Sequence, residues 1–307
     1  MDFTLSKKHE MARTLFKEFA EKEVKPLAQE VDETETFPRA TVEKMAKIGF
    51  LGIPVSKEYG GQGCDALTYA MCVEELSKVC GTTGVIVSAH TSLCCDPIQT
   101  YGTEEQKQKY LIPLAKGEKL GAFGLTEPGA GTDAQGQQTK AVLDGDEWVL
   151  NGSKIFITNS ATPMTLGSTI QVITGENNGK PEFTTFLIEN DTPGFTQEAM
   201  DRKMMWRASN TGRLTFDKVR LPKENMLGTP GQGSHIMLAT LDGGRLSIAA
   251  MGLGCAQGAY EMALEYSQKR EQFGKQICKF QAVSFKLADM AMKIEAARCL
   301  LYKACRI

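Results

Sequence analysis

The 307-residue sequence has little of what marks several common protein classes. It has only three histidines, and its nine cysteines include no C-x-x-C pair, so neither a zinc site nor a disulfide framework is expected. The 35 basic residues nearly balance 37 acidic ones, which argues against a large nucleic-acid surface. The N-terminal residues lack the apolar stretch of an export signal. No uninterrupted apolar run in the sequence is long enough to cross a bilayer. We therefore predict a cytoplasmic protein that binds no metal, nucleic acid or membrane.

What is present is typical of a folded protein with a sizeable core. Hydrophobic residues make up 42% of the chain and charged residues 23%, which excludes a largely disordered chain. The length alone favours about two domains, with three small ones also possible.

The pattern of apolar residues divides the chain into three parts. Apolar residues at helical spacing predict a helix over 5–31, and a short helix over 39–48 follows. Apolar residues on more than one face predict two well-buried helices over 65–79 and 83–101, and Thr103 with Gln106 is typical of a capping box. Gly49 is a plausible helix C-cap.

The middle part shows the signals of strands and tight turns. Strands are predicted over 137–143, 147–150, 154–158, 169–174, 183–189 and 213–219. The pairs Asp144-Gly145 and Asn151-Gly152 are typical of hairpin turns.

The last part returns to a helical pattern over 236–269 and 280–301. Several glycines inside the first of these helices indicate close packing or a ligand near the backbone. The predicted fold class is therefore α+β: an N-terminal helical domain of residues 1–119, a middle antiparallel β-barrel or sandwich domain of residues 120–230, and a C-terminal helical bundle of residues 231–307.

Common nucleotide and hydrolase motifs do not explain the chain. The G-x-G-x-x-A run at 129–134 lacks the following helix of a dinucleotide fold, and residues 175–180 are one residue short of a P-loop. No G-x-S-x-G nucleophile elbow is present.

A family resemblance is carried by five segments in a fixed order. Residues 123–133, FGLTEPGAGTD, resemble the first signature of the acyl-CoA dehydrogenases. The others are GIP at 52–54 with EYGG at 58–61, NGSKIFITN at 151–159, DGGR at 242–245, and REQFGK at 270–275 with FQ at 280–281. The resemblance covers nearly the whole chain and is closest to the short-chain, butyryl-CoA type.

The resemblance implies a reaction and its partners. Such enzymes use FAD to convert an acyl-CoA thioester to the trans-2-enoyl-CoA, or the reverse, and exchange electrons with an electron-transferring flavoprotein. A carboxylate removes the α proton while hydrogen bonds stabilise charge on the thioester oxygen. The resemblance also implies a homotetramer in which FAD lies across a subunit interface.

Residues are assigned to the cofactor by the same resemblance. Those expected along the flavin are Phe123, Leu125, Thr126, Gly131, Thr132, Phe156, Ile157 and Thr158. Those expected to reach FAD of a neighbouring subunit are Arg270, Gln272, Phe273 and Gln281. The alternatives are an ordinary turn at 126–128, a core aromatic at Phe156, and a charged surface run around Arg270.

Residues expected to hold the CoA portion are Thr132, Asp242, Gly243, Gly244 and Arg245. The alternative for Asp242 and Arg245 is a surface ion pair, since their spacing places them on one helix face.

The sequence departs from the family pattern at the catalytic base. Short-chain members carry their catalytic glutamate further along than Ile307, some relatives place the base where Gly244 stands, and Glu127 is interpreted as structural. No catalytic residue is assigned, and the chain is predicted to be a C-terminally truncated, inactive fragment of an enzyme. A non-catalytic scaffold that binds acyl-CoA and FAD, or a relative with other flavin chemistry such as an oxidase, stays open.

Overall fold

The structure is a computed structural model that describes residues 4–307. Its contacts divide the chain into two compact units. The helical unit comprises Met1–Glu30, Asp65–Val85 and Leu246–Ile307, and the sheet unit comprises Val31–Cys64 and Ile86–Arg245. The three domain boundaries given by the sequence stay a prediction.

Ten α-helices occur among the described residues, joined in places by π- and 3₁₀-helical turns. They are α1 Lys7–Phe19, α2 Ala28–Thr34, α3 Arg39–Lys47, α4 Ala66–Val79, α5 Gly81–Ser88, α6 Asp96–Tyr101, α7 Glu104–Gln106, α8 Ile112–Ala115, α9 Gly233–Lys269 and α10 Gln281–Ala304.

Several helices begin or end where the sequence predicts. Asp65 accepts the Thr68 N–H as the N-cap of α4, and Thr103 with Gln106 forms the capping box of α7. Gly49 adopts a left-handed conformation with φ 79° just after α3. The first predicted helix is instead divided, because a π-helical turn at Ala20–Val24 follows α1.

Ten strands are present in the same range. They are β1 Leu120–Gly124, β2 Lys140–Asp144, β3 Glu147–Thr158, β4 Thr165–Asn177, β5 Lys180–Glu189, β6 Phe195–Ala199, β7 Thr211–Pro222, β8 Met226–Leu227, β9 Glu271–Gln272 and β10 Lys275–Gln276.

The sheet unit is built on one sheet with the strand order β6-β7-β3-β2-β4-β5-β8. Most neighbours are antiparallel, as predicted, but β1 and β2 both pair parallel to β4. Leu150, Ile170, Phe186 and Leu214 form the centre of its buried core. The fold class is thus α+β, with helical segments on both sides of the β region along the chain.

One predicted hairpin is wrong. Asn151 and Gly152 do not turn the chain but lie inside β3, which pairs with β7 from Glu147 to Thr158. The register shifts between Leu150 and Gly152, where Gly152 has φ 142°, so the glycine forms a bulge. Asn151 Oδ1 accepts the Lys218 N–H and closes this irregular step.

The interior glycines of α9 include two that are required by packing within the helical unit. A Cβ on Gly254 would lie 2.3 Å from the Glu74 carbonyl oxygen, and one on Gly258 would lie 2.0 Å from the Lys78 carbonyl oxygen. The α9 backbone therefore lies directly against α4, which accounts for the helix-interior glycines at these positions.

The helix α9 is also long and apolar enough to cross a membrane by length and composition alone. Its most apolar window is 44% buried inside the protein, and the helix carries Asp242 and Arg245. A core helix of a globular protein has the same length and composition, so this property identifies no membrane segment.

The close approach of α9 to α4 gives a stability prediction. Gly258→Ala is expected to lower the free energy of unfolding by about 1–3 kcal/mol, because the new methyl group overlaps backbone. Gly252 is the matched control, since no heavy atom lies within 4 Å of its Cβ position. Gly252→Ala is expected to raise stability by up to about 1 kcal/mol through helix propensity. Urea unfolding measures both, and equal effects of the two substitutions would contradict the packing.

Candidate active site

Two of the sequence motifs meet beside β3. After β1 the chain leaves the sheet at Leu125 and Thr126, and the Ile155 N–H donates to the Thr126 carbonyl oxygen at 2.9 Å. Lys154 Nζ donates to the Leu125 carbonyl oxygen at 3.2 Å. The segment of residues 125–127, here called the loop segment, is therefore fixed beside β3, which carries the second motif.

Phe156 has an unusual conformation in β3. The pairing with β7 shifts between Lys154 and Ile157, and Phe156 in this bulge has φ 63°. A positive φ at a bulky residue is rare and is found most often where function requires it. Phe156 is 62% exposed, while Ile155 and Ile157 beside it are buried. Phe156 is therefore not a core aromatic.

The other residues expected along the flavin differ in which of their groups are accessible to a ligand. Thr158 is half-buried at the end of β3, where it pairs with Thr211. The Ile157 side chain packs in the sheet core, so only its backbone is available to a ligand. Phe123 lies in β1, half-buried and opposite Thr169 of β4.

The turn that follows the loop segment is open. Glu127 and Ala130 exchange backbone hydrogen bonds of 3.0 and 3.1 Å, and Gly131 and Thr132 beyond them are exposed. No heavy atom lies within 4 Å of a Cβ placed on Gly129 or Gly131. Backbone along this turn is therefore free to approach a ligand closely.

A buried ion pair lies directly beneath the loop segment. Lys154 has 0% side-chain exposure, and its Nζ lies 2.8 Å from Glu127 Oε1 and 2.6 Å from Gln137 Oε1. Burial lowers the pKa of Lys154 to about 8, although Glu127 opposes that shift. Burial tends to raise the pKa of Glu127, but the Lys154 ammonium and backbone N–H donors outweigh it and lower that pKa.

The sequence analysis missed this pair although both residues stand in quoted motifs. Glu127 stands in the motif at 123–133 and Lys154 in the motif at 151–159, but neither local pattern predicts that the lysine is buried. Glu127 also accepts the Gln138 and Thr139 N–H groups, which is consistent with its interpretation as structural.

Four of the five residues expected at the CoA portion lie at the start of α9, whereas Thr132 lies on the open turn described above. Arg245 Nε pairs with Asp242 Oδ1 at 3.1 Å, and both side chains are about three-quarters exposed, so the surface ion pair is present. A Cβ on Gly244 would lie 2.9 Å from Leu93 Cδ2, whereas one on Gly243 would meet only Asp96 Oδ2 at 3.9 Å. Packing accounts for Gly244, and the backbone at Gly243 is open.

The segment that contacts Gly244 also contacts β1. Leu93 belongs to the π-helical turn Ala89–Cys95, and His90 in the same turn accepts the Gly121 N–H at 3.0 Å. The start of α9 and the strand β1, which leads into the loop segment, therefore both pack against the π-helical turn Ala89–Cys95.

The four residues expected to reach a neighbouring subunit lie in the helical unit. Phe273 is at the tip of the β9–β10 hairpin with φ 53° and a 92% exposed ring, and it contacts Phe280 edge to face. Arg270, Gln272 and Gln281 are also exposed. No contact within the described chain buries Phe273, and the role of these residues at a second subunit stays a prediction.

Two cavities of the described residues differ in their relation to the candidate site. A cavity of about 510 Å³ in the helical unit is lined largely by charged residues that pair with one another, Arg13 with Glu75 and Arg298 with Glu74. A cleft of about 470 Å³ adjoins Glu127 and Gly129 on the sheet unit. Among residues 4–307 no cluster of acidic, histidine or cysteine side chains could hold a metal ion.

Comparison with known proteins places these motifs in a family. The models of the acyl-CoA dehydrogenase N-terminal, middle and C-terminal domains match residues 6–118, 122–219 and 231–307. The short-chain specific acyl-CoA dehydrogenase of Clostridium acetobutylicum is 54% identical over 99% of this chain and 80% of its own length. The chain belongs to the acyl-CoA dehydrogenase family.

Solved structures of this family have the same fold. Butyryl-CoA dehydrogenase from Megasphaera elsdenii has a TM-score of 0.95 and 46% identity, covering 99% of this chain and 80% of that one. A chain solved in work on the electron transferring flavoprotein of Acidaminococcus fermentans has a TM-score of 0.95 and 49% identity, covering 100% and 80% respectively.

Members of the acyl-CoA dehydrogenase family are FAD-dependent oxidoreductases, and the residues of the sheet unit fit such a cofactor. The exposed Phe156 ring offers a flat apolar face, and the Thr126 and Thr158 hydroxyls offer donors to the polar edge of an isoalloxazine ring. The open backbone at Gly129 and Gly131 leaves room beside the loop segment.

Proposed function

We propose that this acyl-CoA dehydrogenase interconverts a short-chain acyl-CoA and its trans-2-enoyl-CoA. The observation that carries the proposal is the fixed loop segment beside β3, with Phe156 turned outward from its bulge. The short-chain relative from Clostridium and the butyryl-CoA dehydrogenase structure support the short acyl chain. The neighbour from the electron transferring flavoprotein work supports such a flavoprotein as electron partner.

The residues of the loop segment and β3 bind and orient the cofactor in this proposal. FAD, when bound, supplies the acceptor for the hydride that leaves the β carbon. Thr126 and Thr158 donate hydrogen bonds to its polar edge, and Phe156 covers the ring and excludes water. Thr132, on the exposed turn, contacts the CoA portion.

The residues at the start of α9 bind the CoA end. The Arg245 guanidinium is exposed, so it can exchange its partner Asp242 for a phosphate, which it matches with paired donors. Arg270, Gln272, Phe273 and Gln281 reach FAD of a neighbouring subunit, and the protein assembles as a homotetramer.

No residue among 4–307 is assigned as catalytic base. The carboxylate of Glu127 already binds Lys154 and two backbone N–H groups. The position before Arg245, where the family resemblance offers an alternative base, is occupied by Gly244, which has no carboxylate. The second candidate is therefore a scaffold that binds FAD and acyl-CoA without turnover.

Reconstitution with FAD tests the proposal. The purified chain is expected to retain FAD after gel filtration and to show the visible bands of bound oxidised flavin. Butyryl-CoA is then added anaerobically, and bleaching of these bands supports the dehydrogenase. Binding of butyryl-CoA without bleaching supports the scaffold, and a protein that stays colourless with excess FAD contradicts both.

Arg245 gives a sharper test of the CoA assignment. Arg245→Gln is expected to weaken butyryl-CoA binding by about tenfold, because a charge-assisted hydrogen bond to phosphate is lost. FAD retention is expected to stay unchanged. Calorimetric titration measures the change, and Arg220→Gln is the matched control because Arg220 is an exposed arginine paired with Asp144 in the same unit. Equal affinities for the two variants would remove Arg245 from the site.

A further inference from the structure

We propose that Lys154 and Glu127 are positioning residues that pre-form the loop segment for the flavin. The inference rests on the proposed function, because it concerns the cofactor site of that function. Neither side chain is assigned to touch FAD or substrate. Their role is to hold the backbone that does.

The first support is the complete satisfaction of a buried ammonium group. Lys154 Nζ has three protons and three acceptors: Leu125 O at 3.2 Å, Glu127 Oε1 at 2.8 Å and Gln137 Oε1 at 2.6 Å. Two of these acceptors belong to the loop segment itself. The position of the lysine on β3 therefore determines where the backbone of Leu125 lies.

The second support is that the Glu127 carboxylate, at the beginning of the following turn, binds the backbone at the end of that turn. Its Oε2 accepts the Gln138 N–H at 2.6 Å, and its Oε1 accepts the Thr139 N–H at 3.1 Å. Thr139 leads directly into β2. One carboxylate thus joins the beginning and the end of the turn that carries Gly131 and Thr132.

The third support is energetic. A buried ion pair adds little net stability compared with apolar side chains of similar size, so stability alone is a weak reason to find one here. Its geometry is specific, however, because each charge requires its partner at one place. Glu127 is the charged partner of Lys154, because the other two acceptors, the Leu125 carbonyl oxygen and Gln137 Oε1, are neutral.

Pre-formation has a measurable consequence. If the loop segment is ordered before FAD binds, binding does not have to order it, and the affinity is higher for that reason. Loss of the pair is expected to weaken FAD binding by about tenfold, with most of the sheet intact.

Three variants separate positioning from plain stability. Lys154→Met removes one partner, and the double variant Glu127→Leu/Lys154→Met replaces the pair by apolar side chains. Lys140→Met is the matched control, because Lys140 is an exposed lysine on β2 of the same unit. FAD affinity is measured by quenching of flavin fluorescence, and stability by thermal unfolding of the apoprotein.

The expected result is a split between the two readouts. Both Lys154 variants lose FAD affinity by about tenfold, while the double variant regains the thermal stability that Lys154→Met loses, and Lys140→Met matches wild type in both. If affinity returns together with stability in the double variant, the pair is merely structural and the proposal is overturned. The double variant decides the question if Lys154→Met does not fold.

Limited proteolysis of the apoprotein tests the positioning role independently of the proposed function, because it measures the order of residues 127–139 without requiring FAD to bind. Wild type is expected to resist cleavage within residues 127–139, and the double variant to be cleaved there. Resistance in both overturns the positioning role even if FAD binds. A wild type that binds no FAD instead contradicts the proposed function, and cleavage still decides whether the pair fixes this turn.

Discussion

Glu74→Leu is expected to lower the free energy of unfolding by about 3 kcal/mol, because it removes one partner of a buried charge network. Glu74 is 2% exposed on α4. Its carboxylate lies 3.0 Å from Arg298 Nε and accepts the Tyr302 hydroxyl at 2.7 Å. The substitution leaves a half-buried guanidinium and a phenol without their acceptor inside the helical unit.

The magnitude follows from what remains after the substitution. Arg298 keeps Glu295 and Gln257 as partners after the substitution. Arg13, which also lies near Glu74, keeps its ion pair with Glu75. The expected loss of unfolding free energy is therefore at the lower end of the range for a broken buried ion pair. Burial and the adjacent Glu74 charge raise the pKa of Tyr302, so its hydroxyl remains a donor at all ordinary pH values.

Urea unfolding at neutral pH checks this prediction. The control is Glu265→Gln, which removes an exposed i,i+4 partner of Lys269 and is expected to change stability by less than about 0.5 kcal/mol. An unfolding midpoint of Glu74→Leu equal to that of the control would show that the network contributes nothing to stability.

The fold class was predictable because its signals are local. The periodic apolar residues of α1 and α3, and the capping box at Thr103, depend on neighbours within a few residues. The error at Asn151-Gly152 has the opposite origin. The same dipeptide is compatible with a turn or a bulge, and the pairing of β3 with β7, some sixty residues away, selects the bulge.

The candidate site shows the same division. The motifs predict which residues contact the flavin, and that assignment stays a prediction. Phe156, one of these residues, is turned outward. The Lys154–Glu127 pair could not be derived, because a lysine in a strand is normally exposed and its burial depends on a partner 27 residues away. Tertiary structure, rather than local pattern, decides where a charge is buried.

Acidification is expected to destabilise the protein through His90 by about 3 kcal/mol between pH 7 and 4. His90 is fully buried, and burial lowers its pKa to about 4. Its Nδ1 accepts the Gly121 N–H at 3.0 Å, and its Nε2 therefore carries the proton and donates to the Leu114 carbonyl oxygen at 3.1 Å. A second proton on Nδ1 would face the Gly121 N–H, so the folded state resists protonation.

The direction follows from the difference between the folded and unfolded states. Above pH 6.5 the imidazole is neutral in both, so His90 adds no pH dependence. As the pH falls from 6.5 towards 4, the unfolded chain binds a proton that the folded protein refuses, and the free energy of unfolding decreases. The slope in this window is at most about 1.4 kcal/mol per pH unit.

Comparison of variants isolates His90 from the other titrating groups. The free energy of unfolding is measured in urea at several pH values for wild type, His90→Gln and His235→Gln, an exposed histidine of the same unit. His90→Gln is less stable than wild type at pH 7, but the difference shrinks as the pH falls, because glutamine binds no proton. His235→Gln is the matched control for replacing a histidine by glutamine. A constant difference between wild type and His90→Gln from pH 7 to 4 would mean that His90 is protonated in the folded state as readily as in the unfolded chain.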